Sequence, residues 1–221
     1  MNSIDFVRNT LTFWDKITPI DQSLIMDNIA LLHYKKGTHI YHAELDCMGI
    51  LIVKSGELRV YLLSEDGRDI TLYRLTPGEV CVLSASCVLK NITFDVHIDA
   101  EQDSELLLLN ANFFQELYNK NIYVENFASK LTIRRFSEVM WAMQQILFMS
   151  FDKRLALFLL NESKKNNSDI IYLSHEQIAK YVSSAREVVS RMLKYFSNEG
   201  IVKLSRGQVI LLDKAKLEKI L

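Results

Sequence analysis

Several things are scarce in these 221 residues, and each scarcity removes a class of function. No apolar run approaches the roughly 20 residues a helix needs to cross a bilayer, so the chain is not expected to span a membrane. The opening stretch MNSIDFVRNT has neither the basic nor the apolar region of a signal peptide, and the expected location is cytoplasmic. There are three cysteines, an odd number with no paired framework, which suits a reducing compartment rather than a disulfide scaffold. No histidine pair has the H-x-H spacing that sends two rings to one face of a strand. His39-x-x-His42 sends them to opposite faces, which argues against a small-barrel metalloenzyme of the cupin kind. No Ser/His/Asp or Cys/His set has a local signature, so neither enzyme activity nor a metal site is expected.

What is present is an ordinary globular composition, 49% hydrophobic and 24% charged, with a net charge of −1 that conceals an asymmetry. From Phe151 to Leu221 there are 13 Lys and Arg against 8 Asp and Glu, whereas the rest of the chain has 13 against 19. A basic C-terminal part joined to an acidic N-terminal part is the charge distribution expected if only the former meets phosphates.

The basic part contains LSHEQIAKYVSSAREVVSRMLKYFSNE, residues Leu173 to Glu199. Ser174 with Gln177 forms an S-x-x-Q capping box, which predicts a short helix over His175 to Tyr181. From Ala185 the apolar residues Val188, Val189, Met192, Leu193 and Phe196 recur at helical spacing up to Gly200. Two helices with three residues between them make a helix-turn-helix. Arg186, Glu187, Ser190 and Arg191 fall in the first half of the second helix, where side chains reach base edges. Arg suits guanine O6 and N7, and Glu can accept from cytosine N4; the competing reading is a solvated face with a Glu187–Arg191 pair. Ser174, His175, Ser184 and Lys194 are the candidate phosphate contacts around it. Ile201 to Leu204, the turn Ser205-Arg206-Gly207, and Gln208 to Leu212 predict a hairpin, completing a winged helix with Arg206 at the wing tip as a further phosphate contact.

Ile178-Ala179 through Arg186-Glu187-Val188-Val189-Ser190-Arg191 resembles the DNA-binding domain of the cyclic-AMP-receptor/FNR (Crp/Fnr) family of bacterial transcription regulators. Glu187-x-x-Ser190-Arg191 is similar to the E-x-x-S-R of the FNR branch, and Arg186-Glu187 to the R-E of the cyclic-AMP branch. The resemblance implies a half-site containing T-G-A, with Arg191 on the guanine and Glu187 on the opposite cytosine. One departure is Ser183, which stands where the turn usually has Gly. A left-handed residue there costs a side chain about 1 kcal/mol, so a differently shaped turn is expected.

The preceding part changes period. Thr18-Pro19 opens a helix expected to run through Ile29. Short apolar runs follow at His39 to Tyr41, Gly49 to Lys54, Leu58 to Leu63, Ile70 to Leu75, Thr93 to Ala100 and Glu105 to Leu109. Turn signals at Gly56, Gly67 and Gly78 separate several of them. This pattern predicts an antiparallel barrel or roll. KSGELRVYLLSEDGRDITLYRLTPGE resembles the family's cyclic-nucleotide-binding-like β-roll, a double-stranded β-helix. The predicted fold is therefore α+β: a β-roll sensor over residues 1–120, a long connecting and dimerisation helix over 121–149, and a winged helix-turn-helix over 150–221.

Asn110 caps a helix over Ala111 to Asn119, and a second helix runs from about Ile122 to Phe148, roughly 40 Å of rod. Its apolar residues lie on two stripes, which is read either as one broad core face or, with the resemblance, as contacts to its own domain and to a second copy. Phe127, Leu131, Phe136, Val139, Met140, Met143 and Leu147 are the candidate dimer residues. The implied partners are a pseudo-palindromic promoter duplex, a second subunit, RNA polymerase and an unidentified small effector.

Two effectors used in the family are not expected. Cyclic-AMP binders hold the phosphate with an Arg-Ser/Thr pair after the Pro-Gly turn. Here the Arg position falls on Ile92, and no Arg occurs between Arg74 and Arg134, so a buried phosphodiester would be poorly compensated. The FNR iron–sulfur cluster needs an N-terminal cysteine group, whereas the first cysteine here is Cys47. Cys81 and Cys87, with Cys47, His39, His42 and His97 in the same domain, leave open a thiol, metal or haem sensor, a small organic effector, or plain buried thiols. Cys81, Ser84, Ser86, Cys87 and Thr93 are the candidate effector or redox residues.

Overall fold

The structure, a computed structural model, describes residues 3–41, 48–82 and 96–221. It divides into two compact units, Met1–Leu63 with Leu72–Val139, and Ser64–Thr71 with Met140–Leu221.

In the first unit a short helix α1 (Ser3–Thr10), a single 3-10 turn at Trp14–Lys16 and α2 (Pro19–Asp27) precede the strands. The polar look of the opening hides α1, because only Val7 and the following Leu11 are inserted into the core. Thr18 caps α2 as its sequence requires, accepting from the Asp21 amide at 3.1 Å. The helix stops two residues earlier than expected: Asn28 closes it, its side-chain amide donating to the Leu24 carbonyl at 2.9 Å. Ile29 then begins a strand that the sequence reading missed.

The strands are β1 (Ile29–Tyr34), β2 (His39–Tyr41), β3 (Gly49–Ser55), β4 (Leu58–Leu63), β5 (Asp69–Leu75), β6 (Val80–Cys81), β7 (His97–Ala100) and β8 (Ser104–Asn110). They form two four-stranded antiparallel sheets, ordered β1-β8-β3-β6 and β2-β7-β4-β5. Between them lie Leu51, Val53, Leu58, Val60, Leu72, Leu75, Cys81, Ile98 and Leu106, the interior of a roll. The outer face of the first sheet carries Ile50, Ile52, Leu107 and Leu109, which pack on the helices around them, α3 (Ala111–Lys120) and the start of α4 (Ile122–Phe148). Strand β3 is therefore covered on both faces. That explains why its sequence is an unbroken apolar run instead of an alternation.

Gly56, Gly67 and Gly78 all have positive φ, at +86°, +78° and +87°, as their turns require. At Gly56 a side chain would also collide with the Ser104 hydroxyl and the Asp103 carbonyl.

In the second unit α5 (Phe151–Asn166) ends on Asn167 in the left-handed region. Then come β9 (Ile170–Ile171), α6 (His175–Tyr181), α7 (Arg186–Asn198), the hairpin β10 (Val202–Ser205) and β11 (Gln208–Leu211), and a terminal helix α8 (Lys214–Ile220). The core joins Leu155, Leu159, Ile178, Val189, Leu193, Phe196, Val209 and Leu217. Helix α8 escaped the sequence reading because a lysine-rich K-A-K-L-E-K-I stretch looks solvated; only Leu217 of it is fully buried.

Candidate nucleic-acid interface

The start of α6 is fixed by its own side chains. The Ser174 hydroxyl accepts from the Gln177 amide at 3.2 Å, while Gln177 Oε1 accepts from the Ser174 amide at 3.0 Å, a complete capping box. The Ser174 hydroxyl also donates to that same Oε1, so the box already uses the group assigned to phosphate. Helix α6 closes at Val182, Ser183 follows at φ +50°, and the Ser184 amide donates to the Ala179 carbonyl at 3.0 Å. The expectation of a differently shaped turn is thereby corrected: Ser183 adopts the left-handed conformation despite its side chain. The strain is tolerated because the buried flanks, Ala179, Val182 and Val189, fix where the chain must go.

On α7 the faces separate cleanly. Val189, Leu193 and Phe196 are fully buried, whereas Arg186, Glu187, Arg191 and Lys194 are exposed and Ser190 is half-buried on the same solvent side. The structure thus brings the four predicted base-reading residues and Lys194 onto one surface. Arg206 is exposed in the β10–β11 turn, at the tip of the wing, and Ser184 is half-buried just before α7.

One contact at this surface was not foreseen. His175 Nδ1 lies 2.9 Å from Ser190 Oγ, tying the first residue of α6 to the reading face of α7. Burial, and then the Arg186 charge, hold the His175 pKa below the ordinary histidine value. The sequence marked His175 only as a phosphate candidate; no local pattern links positions fifteen residues apart across a turn.

The candidate dimer residues on α4 split by exposure. Phe127 is in the core of its own unit, edge-on to the Phe13 ring at 5.1 Å; Leu131 packs on the same cluster and Val139 on the roll interior. Phe136, Met140, Met143 and Leu147 are exposed, as are Ile133, Trp141 and Phe148.

Between those stripes lies a buried cation that sequence reading did not single out. Arg135 is 2% exposed. It donates to Glu138 at 2.5 Å, to Glu79 at 3.5 Å and to the Val80 carbonyl at 3.2 Å, and lies 4.7 Å over the Tyr73 ring. Burial is the largest single influence and opposes its charge, but the Glu138 bond and the charges around it, Glu138 and Glu79 among them, together outweigh it and the pKa is raised. Burial, and then the neighbouring Cys81, push the Tyr73 phenol well above its ordinary value.

Cys81 is buried in the roll interior beside Tyr73. Ser84, Ser86, Cys87 and Thr93, with Cys47, His42 and Ile92, lie outside the described residues. His39 and His97 are on the sheet face away from that interior, with ring centroids 5.5 Å apart and His39 bonded to Asp99 at 2.5 Å. Among the described residues no group of three or more His, Cys, Asp or Glu is placed to hold a metal ion. Arg74 is engaged by Glu57 at 3.0 Å, Arg135 by Glu79 and Glu138, and Arg59 is stacked 4.2 Å from the Tyr61 ring.

Known proteins match both units. Residues 153–220 match the Crp-like helix-turn-helix domain, and residues 31–121 the cyclic nucleotide-binding domain. A solved transcriptional regulator of the Crp/Fnr family from Eubacterium rectale is 44% identical, with a TM-score of 0.90, over 96% of this chain and 99% of that one. The cyclic AMP receptor protein of Thermus thermophilus is 26% identical, the match covering 92% of this chain and 94% of the relative. The anaerobic regulatory protein of Bacillus subtilis is 22% identical, over 90% and 89% respectively.

Proposed function

Because the chain belongs to the Crp/Fnr family of transcription regulators, we propose that it reads a pseudo-palindromic promoter site as a homodimer, under control of a signal sensed in the roll. The observation that carries this reading is α7: a helix with one face fully buried and the other presenting Arg186, Glu187, Ser190 and Arg191. Arg191 takes a guanine through O6 and N7, Glu187 the cytosine amino group opposite, and Lys194 and Arg206 contact phosphates. In such a complex α7 enters the major groove, and a second copy places its α7 about 34 Å away, one turn of the duplex.

Dimer formation is assigned to the exposed stripe Phe136, Met140, Met143 and Leu147 of α4. Isolated apolar side chains on a surface are ordinary, but a file of them along one long helix is the pattern of a helix–helix seam. The protein works in the cytoplasm, alongside RNA polymerase; none of its described helices is long and apolar enough to cross a membrane.

The signal is neither cyclic AMP nor an FNR-type cluster. In support, the roll's described arginines are already engaged, and three cysteines starting at Cys47 cannot supply the cluster's N-terminal thiolates. Burial of Cys81 against Tyr73 supports a packing role for that thiol, and a small organic effector is the reading adopted for the roll.

The test is selection of duplexes from a random pool by the full-length protein, followed by titration of the selected site. Wild type is expected to recover an inverted repeat with T-G-A in each half. Arg191→Ala is expected to lose about 1–3 kcal/mol and to relax preference at a single base pair per half-site. Uniform weakening on every sequence would reduce Arg191 to a phosphate contact and remove the base-reading role.

A further inference from the structure

We propose that His175 sets the hydrogen-bonding polarity of Ser190, and so makes one base pair of the site pH-dependent in its readout; this rests on α7 being the reading helix. The geometry is the 2.9 Å contact between His175 Nδ1 and Ser190 Oγ, made from a different helix onto a side chain on the reading face. Both residues are half-buried, so the contact is shielded while the outer side of Ser190 remains open to a ligand.

A serine hydroxyl has one proton to give and lone pairs to accept with, and Nδ1 of histidine can be either acceptor or donor. In the neutral imidazole carrying its proton on Nε2, Nδ1 accepts and the Ser190 proton is used up. Ser190 then meets DNA as an acceptor, matched to the amino groups of cytosine or adenine. Once the ring takes a second proton, Nδ1–H can only donate to Oγ. The Ser190 proton is then free for guanine O6 or N7, or thymine O4, and protonation removes the acceptor-only state. Cytosine, which offers only a donor in the major groove, gains nothing from that change, since Oγ keeps a lone pair for it in either state, whereas bases with acceptors gain a partner.

The charged groups around this pair make the neutral ring the resting state. Arg186 on α7 acts on His175 directly and, with burial, depresses its pKa. Glu176 adjoins His175 on α6, while Glu187 and Arg191 flank Ser190 on α7. The switch is therefore thrown below the ordinary histidine range, in mild acid.

The experiment uses full-length protein and the selected duplex. The base pair whose preference relaxes in Ser190→Ala identifies the position; all four pairs are then placed there and affinities measured between about pH 5.5 and 8. Wild type is expected to discriminate increasingly against cytosine as pH falls, by roughly two- to tenfold, one hydrogen bond's worth. His175→Gln, whose amide does not titrate, is expected to give a flat ratio. A flat ratio in wild type, or an undiminished pH dependence in His175→Gln, overturns the proposal. Should His175→Gln not fold, the wild-type profile decides alone, with the base pair read by Arg191 as the internal reference that stays constant. If instead Ser190→Ala and Arg191→Ala weaken all sequences alike, it is the base-reading role of α7 that fails.

Discussion

Replacing Arg135 by leucine takes a cation out of the interior and leaves its partners behind. The loss can be built up from its contacts. The Val80 carbonyl, which accepts from it at 3.2 Å, is orphaned in a buried position, at a cost of about 1 kcal/mol or more. Glu138 and Glu79 lose their buried partner but not all compensation, because Arg134 donates to them at 3.3 Å and 3.1 Å and both carboxylates keep some solvent. Removing one member of a buried pair typically costs about 3–5 kcal/mol, and this residual pairing points to the lower end, about 3 kcal/mol. At roughly 3 °C per kcal/mol that is about 9 °C in the melting of the N-terminal unit. Calorimetry of the full chain measures it, with fluorescence of buried Trp14 reporting on that unit. Arg134→Leu is the control: an exposed guanidinium in the same carboxylate cluster is worth at most about 1 kcal/mol. Equal shifts for the two variants would refute the reasoning, since they would show that the enclosure of Arg135 contributes nothing.

Three other outcomes are expected. Ser183→Gly removes a left-handed side-chain conformation costing about 1–2 kcal/mol and adds roughly 0.5–1 kcal/mol of chain entropy in the unfolded state. A gain of between zero and about 1.5 kcal/mol is therefore expected in denaturant melts, and a loss would show that φ +50° is unstrained. Met143→Asp with Leu147→Asp places charges on the exposed stripe of α4 and should convert the dimer to a monomer by sedimentation, with weaker DNA binding; an intact dimer would relocate the interface. With His175 depressed in the folded chain, the unfolded chain binds more protons as pH drops. Its contribution is then neutral above the unfolded pKa of about 6.5 and destabilising as pH falls through it. Melts of wild type and His175→Gln across that range should converge at high pH and separate at low pH.

Local chemistry was readable and enclosure was not. The capping box at Ser174 and Gln177, the turn glycines and the limits of α4 all follow from residues within a few positions of one another. Strand β1 was missed because the helical spacing of Leu24, Ile25 and Met26 continues without a gap into Ile29; what ends α2 is one side-chain amide, that of Asn28. Arg134 and Arg135 are identical in sequence terms, yet their side chains are 59% and 3% exposed, because the helix turns one of them toward Tyr73 and Val80. The same limit hid the His175–Ser190 contact, which exists only once α6 and α7 are folded against each other.

The two-sided burial of β3 bears on how the first unit comes apart. Its odd and even residues belong to different apolar clusters, one inside the roll and one under the helices, so neither cluster can open while the other keeps this strand in place. The strand is a shared keel, and the amides of β3 and its partner β8 should be the last in the unit to exchange with deuterium. Helices α1 and α3 thus melt together with the strands around the sensing interior, and a ligand that steadies that interior steadies them as well.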